Sequence, residues 1–127
     1  MAIEADPKAP LLFFNLSAAE YEAGHYESCL KSADNAVSLC DPKIHEELLS
    51  KLWLRKAKCQ FHMGDNFKGA EASAKKAAGF RKGPAAIKKD AKAMGEAANV
   101  IGFYKELLLE VEVFGMIMDL PKYRPSL

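Results

Sequence analysis

The stretch FFNLSAAEYEAGHYESCLKSADNA, residues 13–36, returns in altered form as WLRKAKCQFHMGDNFKGAEASAKKA, residues 53–77. Phe13 matches Trp53 at an offset of 40, and the same offset matches Ser17 with Ala57, Tyr21 with Phe61 and Gly24 with Gly64. Beyond the glycine the offset becomes 41, pairing Tyr26 with Phe67, Cys29 with Ala70, Ala33 with Ala74 and Ala36 with Ala77. A single residue inserted at the turn accounts for the change. Self-similarity at such an interval marks a supersecondary unit that stacks on its own copy. The residue types identify the unit as two antiparallel helices joined by a turn. Small side chains (Ser17, Ala57, Cys29, Ala70, Ala33, Ala74) sit where the helices cross, and large ones (Phe13, Trp53, Tyr26, Phe67) fill the space beside them. Gly24 and Gly64 permit the left-handed backbone that ends the first helix of each pair.

Working outward, the spacing predicts helices over 11–23, 26–39, 42–63 and 67–78, followed by one long helical region from Pro84 to about Phe114, bent near Gly95 or Gly102. Asp41-Pro42 reads as a cap followed by proline in a first helical turn. Alanine, leucine, lysine and glutamate dominate the composition, and these favour helix. Nowhere is an alternation of apolar and polar residues sustained long enough for a strand. The fold class expected is all-α. One domain spans residues 1–127, with a first repeat over 11–40, a second over 42–79, a C-terminal capping helix over 84–116 and a tail over 117–127. Leu120-Pro121 through Pro125 carries two prolines and reads as extended.

These residues resemble the tetratricopeptide repeat: a bulky residue, a small one four later, an aromatic, a turn glycine, then small residues through the second helix. The first copy reads Phe13, Leu16, Ser17, Tyr21, Gly24, Tyr26, Cys29, Ala33, Ala36, and the second reads Trp53, Ala57, Phe61, Gly64, Phe67, Ala70, Ala74, Ala77. The chain departs from the family in three ways. The aromatic of the first helix falls one residue late in both copies, and the second copy has the extra turn residue. The interval between copies is also six or seven longer than the family's period of about 34 residues. The likeness covers residues 11 to about 79. It implies a right-handed solenoid of antiparallel hairpins that recognises other proteins along a concave groove lined by the first helix of each repeat. Ala2-Ile3-Glu4-Ala5-Asp6-Pro7 reads either as a capped loop or as the closing turn of a preceding repeat.

On the third helix Lys51, Arg55, Lys58 and His62 recur at spacings of four, three and four, which places them on one face. Leu49, Leu52, Trp53 and Ala57 occupy the other side, so the basic face is expected to meet solvent in the groove. Leu12, Asn15, Ala19 and Glu22 take the matching face of the first helix. Family members that hold chaperone tails grip a terminal carboxylate. Asn15 in Phe14-Asn15-Leu16-Ser17 resembles their second-repeat asparagine, and Lys51-x-x-x-Arg55 resembles their third-repeat cation pair. The first-repeat groups of that clamp have no counterpart here. The peptide-binding candidates are therefore Asn15, Lys51, Arg55, Lys58 and His62. An acidic chaperone C-terminal tail, another acidic peptide or partner domain, and a merely solvated basic face all remain open.

Other functions find less support. The formal net charge is +1, so no overall field draws the chain toward polyanions. No apolar run reaches the roughly 18 residues of a membrane span, and the start lacks the pattern of a secretory signal. Three cysteines without paired spacing argue for a reducing compartment, cytoplasm or nucleus. His25, Cys29, Cys59 and His62 match no metal-ligand spacing, no nucleophile–base constellation is evident, and the glycines are isolated. No metal, cofactor or enzymatic activity is expected. Lys75 to Lys92 is basic but carries few aromatics for stacking on bases, so it reads as a solvated face rather than a nucleic-acid site. The last helix is apolar over a broad face that includes Ile101, Leu108 and Val111. That face either closes the solenoid or makes a homodimer, and a structural or self-association segment is the alternative to a binding module.

Overall fold

The computed structural model describes residues 8–118, with side chains through Val111. It contains five helices and no strand among the described residues: α1 (Ala9–Glu22), α2 (Tyr26–Leu39), α3 (Glu46–Met63), α4 (Phe67–Ala78) and α5 (Ala85–Met118). Each helix packs on the next in the chain, and α5 also packs on α3. The expected turn at Ala2–Pro7 and the expected extended tail from residue 119 lie outside the described residues.

The second helix of each pair shows why the chain folds this way. Cys29, Ser32, Ala33 and Ala36 form the buried stripe of α2, and Ala70, Ser73, Ala74 and Ala77 form that of α4. The two stripes share the i, i+3, i+4, i+7 spacing that marks one face of a helix, and they coincide residue for residue in the repeat register. Their small side chains let the neighbouring helices come close. Ser17 and Ala57, opposite them on α1 and α3, are fully buried. Both hairpin turns close on a glycine with positive φ, 80° at Gly24 and 74° at Gly64. Both turns are flanked by an edge-to-face aromatic pair with ring centroids 5.6 Å apart, Tyr21–Tyr26 and Phe61–Phe67.

A polar clip repeats as well. Ser32 Oγ donates to Glu20 Oε1 at 2.5 Å, joining α2 to α1. At the matching places in the second repeat, Gln60 and Ser73 meet at 2.7 Å between α3 and α4. The Gln60 amide nitrogen also reaches the carbonyls of Lys56 and Gly69.

Two apolar clusters hold the stack. Ala33, Ala36 and Leu52 form one, with Phe13, Phe14 and Leu48 packed around them. Leu54, Ala77 and Ala91 form the other, with Trp53, Ile87 and Met94. Trp53 carries Lys56 over its ring at 3.8 Å and Lys76 at 4.5 Å. Gly102 lets α5 approach the start of α4, since a Cβ there would lie 3.1 Å from Phe67 Cβ.

Several boundaries differ from the sequence expectation. The first helix begins at Ala9 and ends at Glu22 rather than spanning 11–23. The third helix starts at Glu46, not Pro42. Asp41 instead organises a turn: its Oδ1 accepts from Lys43 N at 2.9 Å, its own N donates to His45 Nδ1, and its carbonyl accepts from His45 N at 2.8 Å. The helix then opens with Glu46 and Glu47, two acids at the positive end of its dipole. The last helix begins at Ala85 and continues past 114 and 116 to Met118, so residues 117–118 are helical rather than tail. No helix among the described residues is long and apolar enough to cross a membrane.

Candidate functional site

α1 and α3 run side by side in the same direction. Contacts between them keep a constant register: Arg55 reaches Phe14 and His62 reaches Tyr21, each across 41 residues. The seam between these two helices carries the residues singled out by the sequence, and the structure separates them into two groups.

Arg55 and His62 are tied into the seam. Arg55 Nη1 donates to Phe14 O at 3.1 Å and to Ser17 Oγ at 3.0 Å. Its guanidinium lies 4.4 Å from the centre of the Phe14 ring. The side chain is half-buried, and desolvation pulls its pKa below the usual arginine value; even so it remains a cation at neutral pH. Nε and Nη2 form no hydrogen bond among the described residues. The expectation that Arg55 meets solvent therefore needs correction. It sits on the flank of α3 that turns toward α1, where a parallel neighbour covers its inner edge. His62 is exposed, yet its Nε2 lies 3.1 Å from Tyr21 Oη and its ring stacks on Tyr26 at 4.7 Å, 6° from parallel. Burial and the nearby Tyr26 raise the Tyr21 pKa.

Asn15, Lys51 and Lys58 are the freer group. Asn15 is exposed on α1, at the first-repeat register position equivalent to Arg55. Among the described residues no hydrogen bond joins it to the cations. Lys51, with a side chain 39% exposed, pairs with Glu47 at 3.5 Å one turn away. It lines a recess of about 330 Å³ with Pro10, Leu11, Ile44, His45, Glu47 and Leu48. Lys58 is half-buried and makes no ion pair among the described residues. Glu47 is thus the one carboxylate within ion-pair distance of Lys51, Arg55 or Lys58 among the described residues.

The sequence did not reveal what supports this site. Ser17 Oγ, while accepting from Arg55, donates to Phe14 O at 2.7 Å. Beneath it Cys29 Sγ donates to Ser17 O at 3.1 Å, and Cys59 Sγ lies 3.0 Å from Cys29 Sγ. Burial raises the pKa of both thiols. They are fully buried packing groups, and the described residues contain no cluster of three or more His, Cys, Asp or Glu able to hold a metal. The basic residues of α4 and α5 are partly engaged: Lys75 with Glu71 at 3.6 Å, Lys76 over Trp53, and Lys88 with Arg81 O at 3.2 Å.

A half-buried guanidinium fixed through one nitrogen, an ammonium one turn away and a recess with apolar walls at Pro10, Leu11, Ile44 and Leu48 suit an anionic group with an apolar neighbour that displaces Glu47 from Lys51. An arginine held in this way keeps its fork oriented and loses little freedom on binding. Compared with known proteins, the chain matches no family model, no curated protein and no solved structure.

Proposed function

We propose that this chain is a protein-recognition module of tetratricopeptide-like hairpins, stacked as a right-handed solenoid, which receives an acidic peptide along the seam of α1 and α3. The repeated small-residue stripes, turn glycines, aromatic pairs and Ser–Glu/Gln clips support the repeat reading. The observation that carries the functional reading is Arg55: anchored to Phe14 O and Ser17 Oγ through Nη1, it keeps Nε and Nη2 uncommitted one turn from Lys51 and the recess.

In this reading Arg55 and Lys51 hold a carboxylate by charge-assisted hydrogen bonds. Asn15 donates a neutral bond from the neighbouring helix, Lys58 adds long-range attraction, and the recess beside Leu11 and Ile44 takes an apolar side chain of the peptide. His62 bounds the far end of the seam against Tyr21 and Tyr26. An acidic C-terminal tail of the chaperone kind is the narrower form of the proposal. The role is recognition, without catalysis or a cofactor.

The test is a titration of labelled protein with a peptide ending in Glu-Glu-Val-Asp, followed by amide shifts, with the C-terminally amidated peptide as control. Shifts at Asn15, Lys51 and Arg55 that vanish with the amide are expected. Equal shifts with both peptides would retain an acidic-peptide groove and remove the carboxylate clamp. No shift with either would sink the groove reading.

A further inference from the structure

Among the described residues, the last polar contacts of α5 with the other helices are made by Lys105, whose Nζ donates to Gly64 O at 2.7 Å, and by Glu106, 3.8 Å from Lys68. The body-facing line before that point is Ala91, Ala98 and Gly102, small residues that allow close approach. Opposite this line the helix is charged at Lys89, Lys92 and Glu96 and turns apolar from Val100, and from Leu107 on the sequence is apolar with few interruptions. Nine of the twelve residues from 107 to 118 are Leu, Val, Phe, Ile or Met, a composition that belongs in a buried helix. Yet every large apolar side chain from Val100 to Val111 is 42–63% exposed.

We infer that α5 pairs with α5 of a second copy in an antiparallel two-fold dimer. The exposed area points to a second copy, and the arrangement of the stripe fits one. Leaving out Leu109, which continues the line of Ala98 and Gly102, the exposed apolar side chains from Val100 to Val111 present on the order of 700 Å², more than the roughly 300–600 Å² of the largest patch on an ordinary monomer and approaching the ~800 Å² each partner gives a standard interface. The fit is geometric. Tyr104, Leu107, Leu108 and Val111 lie away from the body and are exposed, and their spacing of three, one and three, common to any helix face, admits a two-fold axis at its centre. A two-fold axis between Leu107 and Leu108 sets Tyr104 of one copy against Val111 of the other and Leu107 against Leu108. The contact is then self-complementary and closed. Parallel pairing would bring both bodies, packed against the first half of each α5, to the same end, whereas the antiparallel pair carries them apart.

The proposal is independent of peptide binding at the α1–α3 seam. Its test is sedimentation equilibrium and light scattering of the full chain over a dilution series. The wild type is expected at twice the chain mass. Leu107→Glu is expected at the chain mass with an unchanged helical circular dichroism spectrum. Leu12→Glu, on the exposed side of α1, should remain dimeric. To fix the direction, Tyr104→Cys and Val111→Cys are each placed in a Cys40→Ser background and oxidised alone and mixed. A crosslinked dimer that forms efficiently only on mixing is expected. A wild-type monomer at every concentration, dissociation by Leu12→Glu instead of Leu107→Glu, growth into open-ended assemblies, or efficient crosslinking of each single variant alone would each overturn the inference.

Discussion

Cys59 Sγ and Cys29 Sγ lie 3.0 Å apart, both fully buried, where α1, α2 and α3 meet. The contact opens a polar chain through an otherwise apolar junction. Cys59 donates to Cys29, Cys29 to the carbonyl of Ser17, and Arg55 to the Ser17 hydroxyl and the Phe14 carbonyl. Because an unpaired polar atom in such a place is costly, the chain of bonds fixes the relative positions of its members. No buried side-chain nitrogen or oxygen among the described residues lacks a partner. The site's guanidinium is therefore held by the core and not only by its own helix.

Thiol chemistry should follow this burial. Cys40 is partly exposed, whereas Cys29 and Cys59 are not exposed at all. A thiol-alkylating reagent at neutral pH should modify Cys40 first and the other two only at the rate of unfolding. Peptide mapping after timed quenching checks this. Early labelling of Cys59 in the folded protein would mean that the junction opens locally.

The same thiols set a pH dependence. Burial raises the pKa of Cys29, Cys40 and Cys59 in the folded state. Below the unfolded thiol value of about 8.5 both states keep their protons, and the contribution of these groups to stability is complete. As pH rises past that value the unfolded chain ionises while the folded one does not, so unfolding releases protons and stability falls. The urea midpoint should therefore drop from pH 8 to pH 10. Cys59→Ala should flatten the drop relative to its own midpoint at pH 7.

The repeat was legible because its markers are local in register: small residues at helix crossings and glycines at turns leave a pattern that survives when one copy is laid over the other. The Glu20–Ser32 and Gln60–Ser73 clips obey the same register and could have been read from it. The Cys29–Cys59 contact could not, because the two thiols occupy unlike positions in the two copies, one on α2 and one on α3. Periodicity also grouped Lys51, Arg55, Lys58 and His62 on one face without saying which part of that face a neighbouring helix covers, and that decided the different standing of Arg55. Asp41-Pro42 misled because an aspartate before proline serves a turn as well as a helix cap.

Arg55 and Lys51 should separate sharply in stability measurements. Arg55→Met removes two hydrogen bonds from a charged donor and a cation–ring contact, a loss of about 2 kcal/mol on the scale of charge-assisted bonds. Lys51→Ala removes one exposed ion pair within a helix, a loss of about 0.5 kcal/mol or less. Denaturant midpoints compare the two directly. Equal losses would show that the Arg55 contacts contribute nothing beyond surface charge.

The two turn glycines make a matched pair. Gly24 and Gly64 have φ of 80° and 74°, and nothing lies within 4 Å of a Cβ built on either. Alanine at either position therefore meets no clash, and only the left-handed backbone opposes it, at about 1–2 kcal/mol. Gly24→Ala and Gly64→Ala should lower stability by similar amounts, with asparagine at either site losing less. Thermal melts of the four variants test this. A large difference between the alanine variants would show that one turn bears a constraint its repeat partner lacks.

The uneven standing of the cations sharpens the test of binding. Because Arg55 is part of the seam, Arg55→Glu confounds folding with recognition, and the informative variants are Lys51→Ala and Lys58→Ala. Lys51 stands at the recess, paired with Glu47, one turn from Arg55. Its loss should remove a charge-assisted bond to the peptide carboxylate, weakening Kd by about tenfold to a hundredfold on the roughly 1.5–3 kcal/mol scale of such bonds. Lys58 makes no ion pair among the described residues and should act at longer range. Lys58→Ala should weaken binding several-fold at low salt and little at high salt, where the Debye length shortens to a few ångströms. Calorimetric titrations of both variants at two ionic strengths separate the roles. If the peptide is bound but both variants bind it like the wild type, neither lysine holds the carboxylate, and Arg55 is left as the one cation of the proposed set on α3 that does.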